Sequence, residues 1–156
     1  MELDQIDRQL LALLQANGRI TNVELAARVG LTAPPCLRRV RALEEAGYIE
    51  GYHARLSARR LGVDITVLVL VSLRSQAEDV LRAFEEHVAG LPQVRQCHMV
   101  NGEIDFILTV VSRDLTSFQA FLTTHLTSAP GVASVKTSPV IRTAKDEPGV
   151  PVELFP

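Results

Sequence analysis

Apolar residues recur along this chain with two different periods, and the change of period divides it. Ile6, Leu10, Leu13 and Leu14 keep helical spacing behind Asp4, a suitable N-cap. Asp7 lies three positions on, near the positive end of the helix dipole. Asn17-Gly18 stops that helix. Thr21 and Glu24 form a T-x-x-E capping box ahead of Leu25, Ala26 and Val29. Gly30 fits the left-handed position that closes a helix, and Thr32 is placed to cap the next. Pro34 and Pro35 fall in the first turn of that third helix, where missing N–H groups have no intrahelical partner. In a helix interior two prolines would break it, so they fix where it begins. Cys36, Leu37, Val40 and Leu43 form its apolar stripe, and Gly47 ends it. Three short helices, the last two joined by about three residues, make a helix-turn-helix pattern. Residues 48–55 alternate weakly and predict a short strand.

From residue 65 the period shortens to two. Residues 65–73 (ITVLVLVSL) predict a strand apolar on both faces, and 78–90 a helix with Leu81, Phe84, Val88 and Leu91 in register. A strand over 94–100 meets Asn101-Gly102, a two-residue hairpin signal of type I′. Residues 104–111 supply its partner strand. Asp114 caps a helix carrying Leu115, Phe118, Leu122 and Leu126, and Pro130-Gly131 turns the chain into a last strand over 132–141. The order β-α-β-β-α-β is the ferredoxin-like arrangement, with both helices on one face of the sheet. The other face would then be polar, yet Leu68, Leu70, Ile107 and Val111 fall on it. An uncovered apolar face of that size predicts a dimer packed sheet to sheet. The expected class is α+β. A helix-turn-helix, winged-helix-like unit spans 1–56, a linker 57–64, a βαββαβ unit 65–142 and an extended tail 143–156.

Composition changes this picture in three ways. The chain has 156 residues, 47% of them hydrophobic, which suffices for the cores of two small units. Its net charge of −2 hides an asymmetry. Residues 1–60 carry nine arginines against seven acidic residues, and the remainder carries seven basic against eleven acidic. A basic head on an acidic body suits a polyanion partner. Cys36 and Cys97 lie in different halves and read as buried thiols of a reduced compartment. Asp4 and Asp7 interrupt any secretory signal pattern, and the longest apolar run, 65–73, is too short to span a bilayer. The expected location is cytoplasmic and nucleoid-associated, with no membrane partner.

On the third helix, phase places Pro34, Arg38, Arg41 and Glu45 opposite the apolar stripe. A helix-turn-helix sets the start of its second helix in the DNA major groove. Thr32, Ala33 and Pro34 would stand at that start, and Arg38 and Arg41 would reach guanine edges or phosphates. Arg39 lies on the flank, placed either for phosphate or for a nearby carboxylate. The bland alternative for any one of these arginines is a solvated basic face.

Catalytic signals are poor. His53, His87, His98 and His125 lack metal-ligand spacing. Cys97 and His98 are neighbours on a strand and point to opposite faces, which excludes a simple dyad. Neither a phosphate-cradling glycine loop nor G-x-S-x-G occurs. No enzyme activity, metal or cofactor is expected.

Three stretches carry a family resemblance: LDQIDRQLLALLQANGRITNVELAARVGLTAPPCLRRVRALEEAGYIEGYHA, CHMVNGEIDFIL and PGVASVKTS. Over nearly the whole length the chain resembles the Lrp/AsnC, or feast/famine, regulators, and most the leucine-responsive branch. The resemblance implies an N-terminal DNA-binding domain and a C-terminal sensing domain. It implies dimers that assemble further into octamers, with an amino acid bound between dimers altering assembly or DNA binding. The family's G-x-x-D sensing turn is matched by Gly102 and Asp105, and Thr137 and Ser138 match the last-strand segment lining the same cleft. Asp105 would accept from the ammonium, and the backbone around Gly102 would donate to the carboxylate. His98 would line the pocket or the dimer face. Read from the residues alone, Gly102 is a hairpin glycine, Asp105 a strand-edge charge and His98 a structural histidine. Where the leucine-responsive pattern has an aromatic and then a branched aliphatic residue, this chain has Ser138 and Pro139, which argues against leucine itself. Two rival readings remain: a two-domain enzyme resembling haem-pathway decarboxylases, and a sensing subunit without DNA binding.

Overall fold

Capping decides where the first helices start. The computed structural model describes residues 2–154. In it α1 (Gln5–Ala16) begins at Asp4, whose Oδ1 accepts from the Asp7 N–H at 2.8 Å while Asp7 Oδ2 accepts from the Asp4 N–H at 3.2 Å. Thr21 and Glu24 close the same reciprocal box on α2 (Asn22–Arg28). α3 (Ala33–Glu45) carries its two prolines in the first turn. Thr32 occupies the N-cap, but its side chain makes no capping bond, contrary to the sequence expectation.

Leu10, Leu25, Ala26, Cys36, Val40 and Leu43 form the core of this three-helix unit. Leu37, expected in the stripe, is 38% exposed. At about 100° per residue, Cys36, Val40 and Leu43 fall along one line and Leu37 stands a quarter turn off it. Arg39, by the same count, lies about 60° from that line on the other side.

Residues 48–55 form no strand. A strand needs a neighbour for its N–H and C=O groups, and no ladder includes this stretch. Tyr52 instead donates its hydroxyl to Glu44 Oε1 at 2.9 Å.

The chain divides into two compact units, one running to Arg55 and resuming at Lys145, the other spanning Leu56–Ala144. The tail therefore belongs with the three helices. Gln15 Nε2 donates to the Val150 carbonyl at 2.7 Å, and the Val150 N–H donates back to Gln15 Oε1 at 2.9 Å. Arg55 Nη2 meets Asp146 Oδ2 at 2.5 Å, and a 3-10 turn follows over Val152–Leu154. Gly149 has φ 82°, which favours glycine, and a Cβ there would displace the Gln15 side-chain amide from its place beside Val150.

The second unit is built from β1 (Ile65–Leu73), α4 (Glu78–Ala89), β2 (Val94–Met99), β3 (Phe106–Ser112), α5 (Leu115–Phe121) and β4 (Val132–Pro139). Its sheet has the order β2-β3-β1-β4, antiparallel throughout. Val67, Val69 and Val71 of β1 and Phe106, Leu108 and Val110 of β3 face Phe84, Val88, Phe118 and Leu126 of the helical layer. Leu68, Leu70, Ile107 and Val111 point the other way, as the alternation predicts.

Four local expectations fail here. The β2–β3 connection is a six-residue loop, 100–105, closed by the Val100 N–H donating to the Asp105 carbonyl at 2.9 Å. A type I′ turn needs positive φ at both central residues, and Asn101 does not have it. β3 accordingly starts at Phe106, two residues later than expected. Leu115 is 63% exposed, because Phe118 and Phe121 set the buried side of α5. A π turn over Leu122–Leu126 then rotates Leu126 into the core. β4 ends at Pro139 rather than 141, and Ile141 is fully exposed.

Candidate DNA-binding face and effector loop

Local chemistry sorts the three arginines of α3. Arg39 Nη1 donates to Asp4 Oδ2 at 2.7 Å and to Asp7 Oδ1 at 2.8 Å. These hydrogen bonds, Asp7's first, raise its pKa. Asp4 is held below the usual carboxylate range by the Asp7 N–H and then by Arg39. The flanking arginine thus closes α1 onto α3. Arg38 and Arg41 are exposed and form no ion pair among the described residues. Thr32 and Pro34 are exposed beside them, and Ala33 is half-buried. Asn22 Nδ2 donates to the Ala33 carbonyl at 2.8 Å, fixing the start of α3 against α2. Sequence reasoning missed Asn22, because a tie across eleven positions leaves no periodic signal.

In the second unit Gly102 and Asp105 share the β2–β3 loop. Gly102 has φ 144°, a conformation L side chains rarely adopt. Asp105 is 8% exposed. Its Oδ2 accepts from the buried Leu73 N–H at 2.7 Å, and its Oδ1 accepts from Gln76 Nε2 at 2.9 Å. The Asp105 N–H donates to the Val71 carbonyl at 2.9 Å. Asp105 therefore pins the end of β1 as well as shaping the loop. Gln76, also missed by sequence reasoning, lies outside any regular element and carried no motif.

The other candidates lie apart. His98 on β2 pairs with Ile107 and is exposed on the helix-free face. Thr137 and Ser138 lie on β4, opposite Val69 and Leu68, so they point to opposite faces. β1 separates β4 from β3. A single chain thus joins Gly102 with Asp105 but leaves Thr137 and Ser138 across the sheet. Two depressions, about 550 Å³ along α5 and about 270 Å³ between α4 and β2, are lined by none of these residues.

Cys97, beside the smaller depression, has its thiol pushed up to about 11 by burial and then by Glu85. Burial raises the Cys36 thiol as well. Neither thiol is activated as a nucleophile. Among the described residues no cluster of His, Cys, Asp and Glu could hold a metal ion, and no helix is long and apolar enough to cross a membrane.

A helix-turn-helix unit with an outward arginine face, followed by an α+β unit with a structured acidic loop, defines the class of two-unit DNA-binding regulators. Family models agree with both halves. Residues 3–50 match the winged helix-turn-helix DNA-binding model, and residues 66–150 match the Lrp/AsnC ligand binding domain. The chain belongs to the Lrp/AsnC family. It is 51% identical over 146 residues to the leucine-responsive regulatory protein of Rhizobium meliloti, covering 94% of each chain. It is 48% identical over 137 residues to the Bkd operon transcriptional regulator of Pseudomonas aeruginosa, covering 88% of this chain and 90% of that one. Its fold matches that of a Neisseria meningitidis transcriptional regulator solved as its L-Met complex. That match has a TM-score of 0.94 at 36% identity, covering 99% of this chain and 100% of that one. These relatives are transcription regulators, and the chain is a regulator with a DNA-binding domain and a ligand-binding domain, not an enzyme.

Proposed function

We propose that α3 reads double-stranded DNA through Arg38 and Arg41, and that an amino acid bound at the 100–105 loop changes how paired copies of α3 engage the DNA. The carrying observation is the division of labour on α3. Arg39 is tied to Asp4 and Asp7, while Arg38 and Arg41 are left outward beside Thr32, Ala33 and Pro34. The helix-free face with Leu68, Leu70, Ile107 and Val111 is the dimer surface, and dimers assemble further to an octamer. Two-fold pairing implies a pseudo-palindromic operator with half-sites about one helical turn, or a multiple of it, apart. Asp105 takes the effector's ammonium, the loop around Gly102 its carboxylate, and His98, Thr137 and Ser138 of neighbouring copies complete the cleft. The Neisseria relative's L-Met makes methionine the first effector to try, and Ser138-Pro139 makes leucine a weaker candidate.

The test is fluorescence polarisation of the chain's own upstream DNA against salt, with and without each amino acid. Affinity should fall steeply with salt, and one amino acid should shift the curve. Binding indifferent to salt would remove the DNA-reading proposal, and indifference to every amino acid would remove the sensing one.

A further inference from the structure

We propose that Gln76 is a displaceable placeholder for the effector's ammonium: its amide holds Asp105 Oδ1 in the free protein, and the ammonium of a bound amino acid takes its place. This rests on the reading of Asp105 as the ammonium acceptor. The two oxygens of Asp105 are held in different ways. Oδ2 is bound by a backbone N–H inside the sheet unit, at Leu73. Freeing it would unpick a loop end also held by the Asp105 N–H to Val71 and the Val100 N–H to the Asp105 carbonyl. Oδ1 is bound by the side chain of an exposed residue, between the end of β1 and the N-cap of α4 at Ala77. Gln76 can leave without disturbing any ladder.

Charge gives the exchange its direction. Among the described residues no basic side chain pairs with Asp105, and both its donors are neutral. An ammonium brings a full opposite charge to the buried carboxylate, where the glutamine amide brings only a dipole. The released glutamine is exposed, so its amide finds water and its side chain recovers rotamer freedom. The site thereby discriminates. A ligand with a carboxylate and a matching side chain but no ammonium gains nothing by expelling Gln76. Displacement also frees the turn that leads into α4, which gives the bound state a local consequence.

The experiment is isothermal titration of the full-length chain, with Gln76→Ala and Asp105→Asn alongside and thermal melts of each. The ligands are the twenty amino acids, L-methionine first, and the des-amino analogue of the tightest binder (4-(methylsulfanyl)butanoate for methionine). Gln76→Ala should bind the amino acid roughly threefold or more tighter, the scale of one net hydrogen bond, with the analogue's affinity unchanged. Unchanged or weaker amino-acid binding by Gln76→Ala, or an equal gain for the analogue, overturns the placeholder. If Asp105→Asn still loses tenfold or more, the Asp105 reading survives that outcome. A folded Asp105→Asn that binds like the wild type, or no heat from any amino acid, overturns the Asp105 reading and the placeholder together. If Asp105→Asn does not fold, the contrast between amino acid and analogue in Gln76→Ala decides.

Discussion

Each unit buries one aspartate, and the two are satisfied in opposite ways. Asp7 is 4% exposed and accepts from the Arg39 guanidinium, so its charge is cancelled within the chain. Asp105 is almost as buried but accepts only from a backbone N–H and an amide. A buried carboxylate is costly unless paired and hydrogen-bonded. The first site is closed and structural. The second retains capacity for a cation and keeps a removable partner. The difference teaches that equal burial can hide unequal electrostatics: one carboxylate is neutralised by a guanidinium, and the other is held by neutral donors alone.

The comparison can be broken most directly on α3, where Arg39 is paired with Asp4 and Asp7 and the proposed DNA reading falls to Arg38 and Arg41. Arg38→Ala with Arg41→Ala should weaken operator binding about 100-fold, reduce the salt slope by about 2 and leave the melting temperature unchanged. Polarisation titrations and thermal melts check both readouts. Arg39→Ala should do the reverse. It leaves Asp7 buried without its cation and costs about 1–2 kcal/mol, discounted because Arg39 is 36% exposed. A urea midpoint equal to the wild type would show that the pair is not a clamp.

A smaller effect is expected from pH. Asp4 lies below its usual 3.8 because the Asp7 N–H, then Arg39, favour its charged form. A pKa lowered on folding gives stability that is full above the unfolded value and lost as pH falls through the folded one. Urea midpoints taken from pH 5 downward should fall less steeply in Asp4→Asn than in the wild type. Parallel curves would remove Asp4 from the acid response. Smallest of all, Gly149→Val should release the tail from Gln15 and expose the bonds after Lys145 to protease, with the three-helix core intact. An unchanged digestion pattern would mean that the tail docks without that contact.

Local rules carried much of the fold. Two capping boxes, two first-turn prolines and the phase of α3 are short-range features, and both helix starts and the outward Arg38 and Arg41 follow from them. Alternation likewise gave the two faces of β1 and β3. Two of the misses depend on distant groups and one on the turn that follows α5. Residues 48–55 had a strand pattern but no neighbour to pair with. Asn101-Gly102 signalled a tight turn, yet Asp105 is pulled toward Leu73 and Val71, which lengthens the loop. Leu115 held a helical register that the π turn and two phenylalanines overrode.

The sequence by itself determined most of the elements, their order and the arginine face, because capping, periodicity and helical phase act over four residues or fewer. Only the tertiary structure decided which charges are spent. Arg39 meets Asp7 from 32 positions away, Asp105 meets Gln76 from 29, and Gln15 meets the tail from 135. Such contacts are set by how packed elements bring distant side chains together, and no local pattern records them.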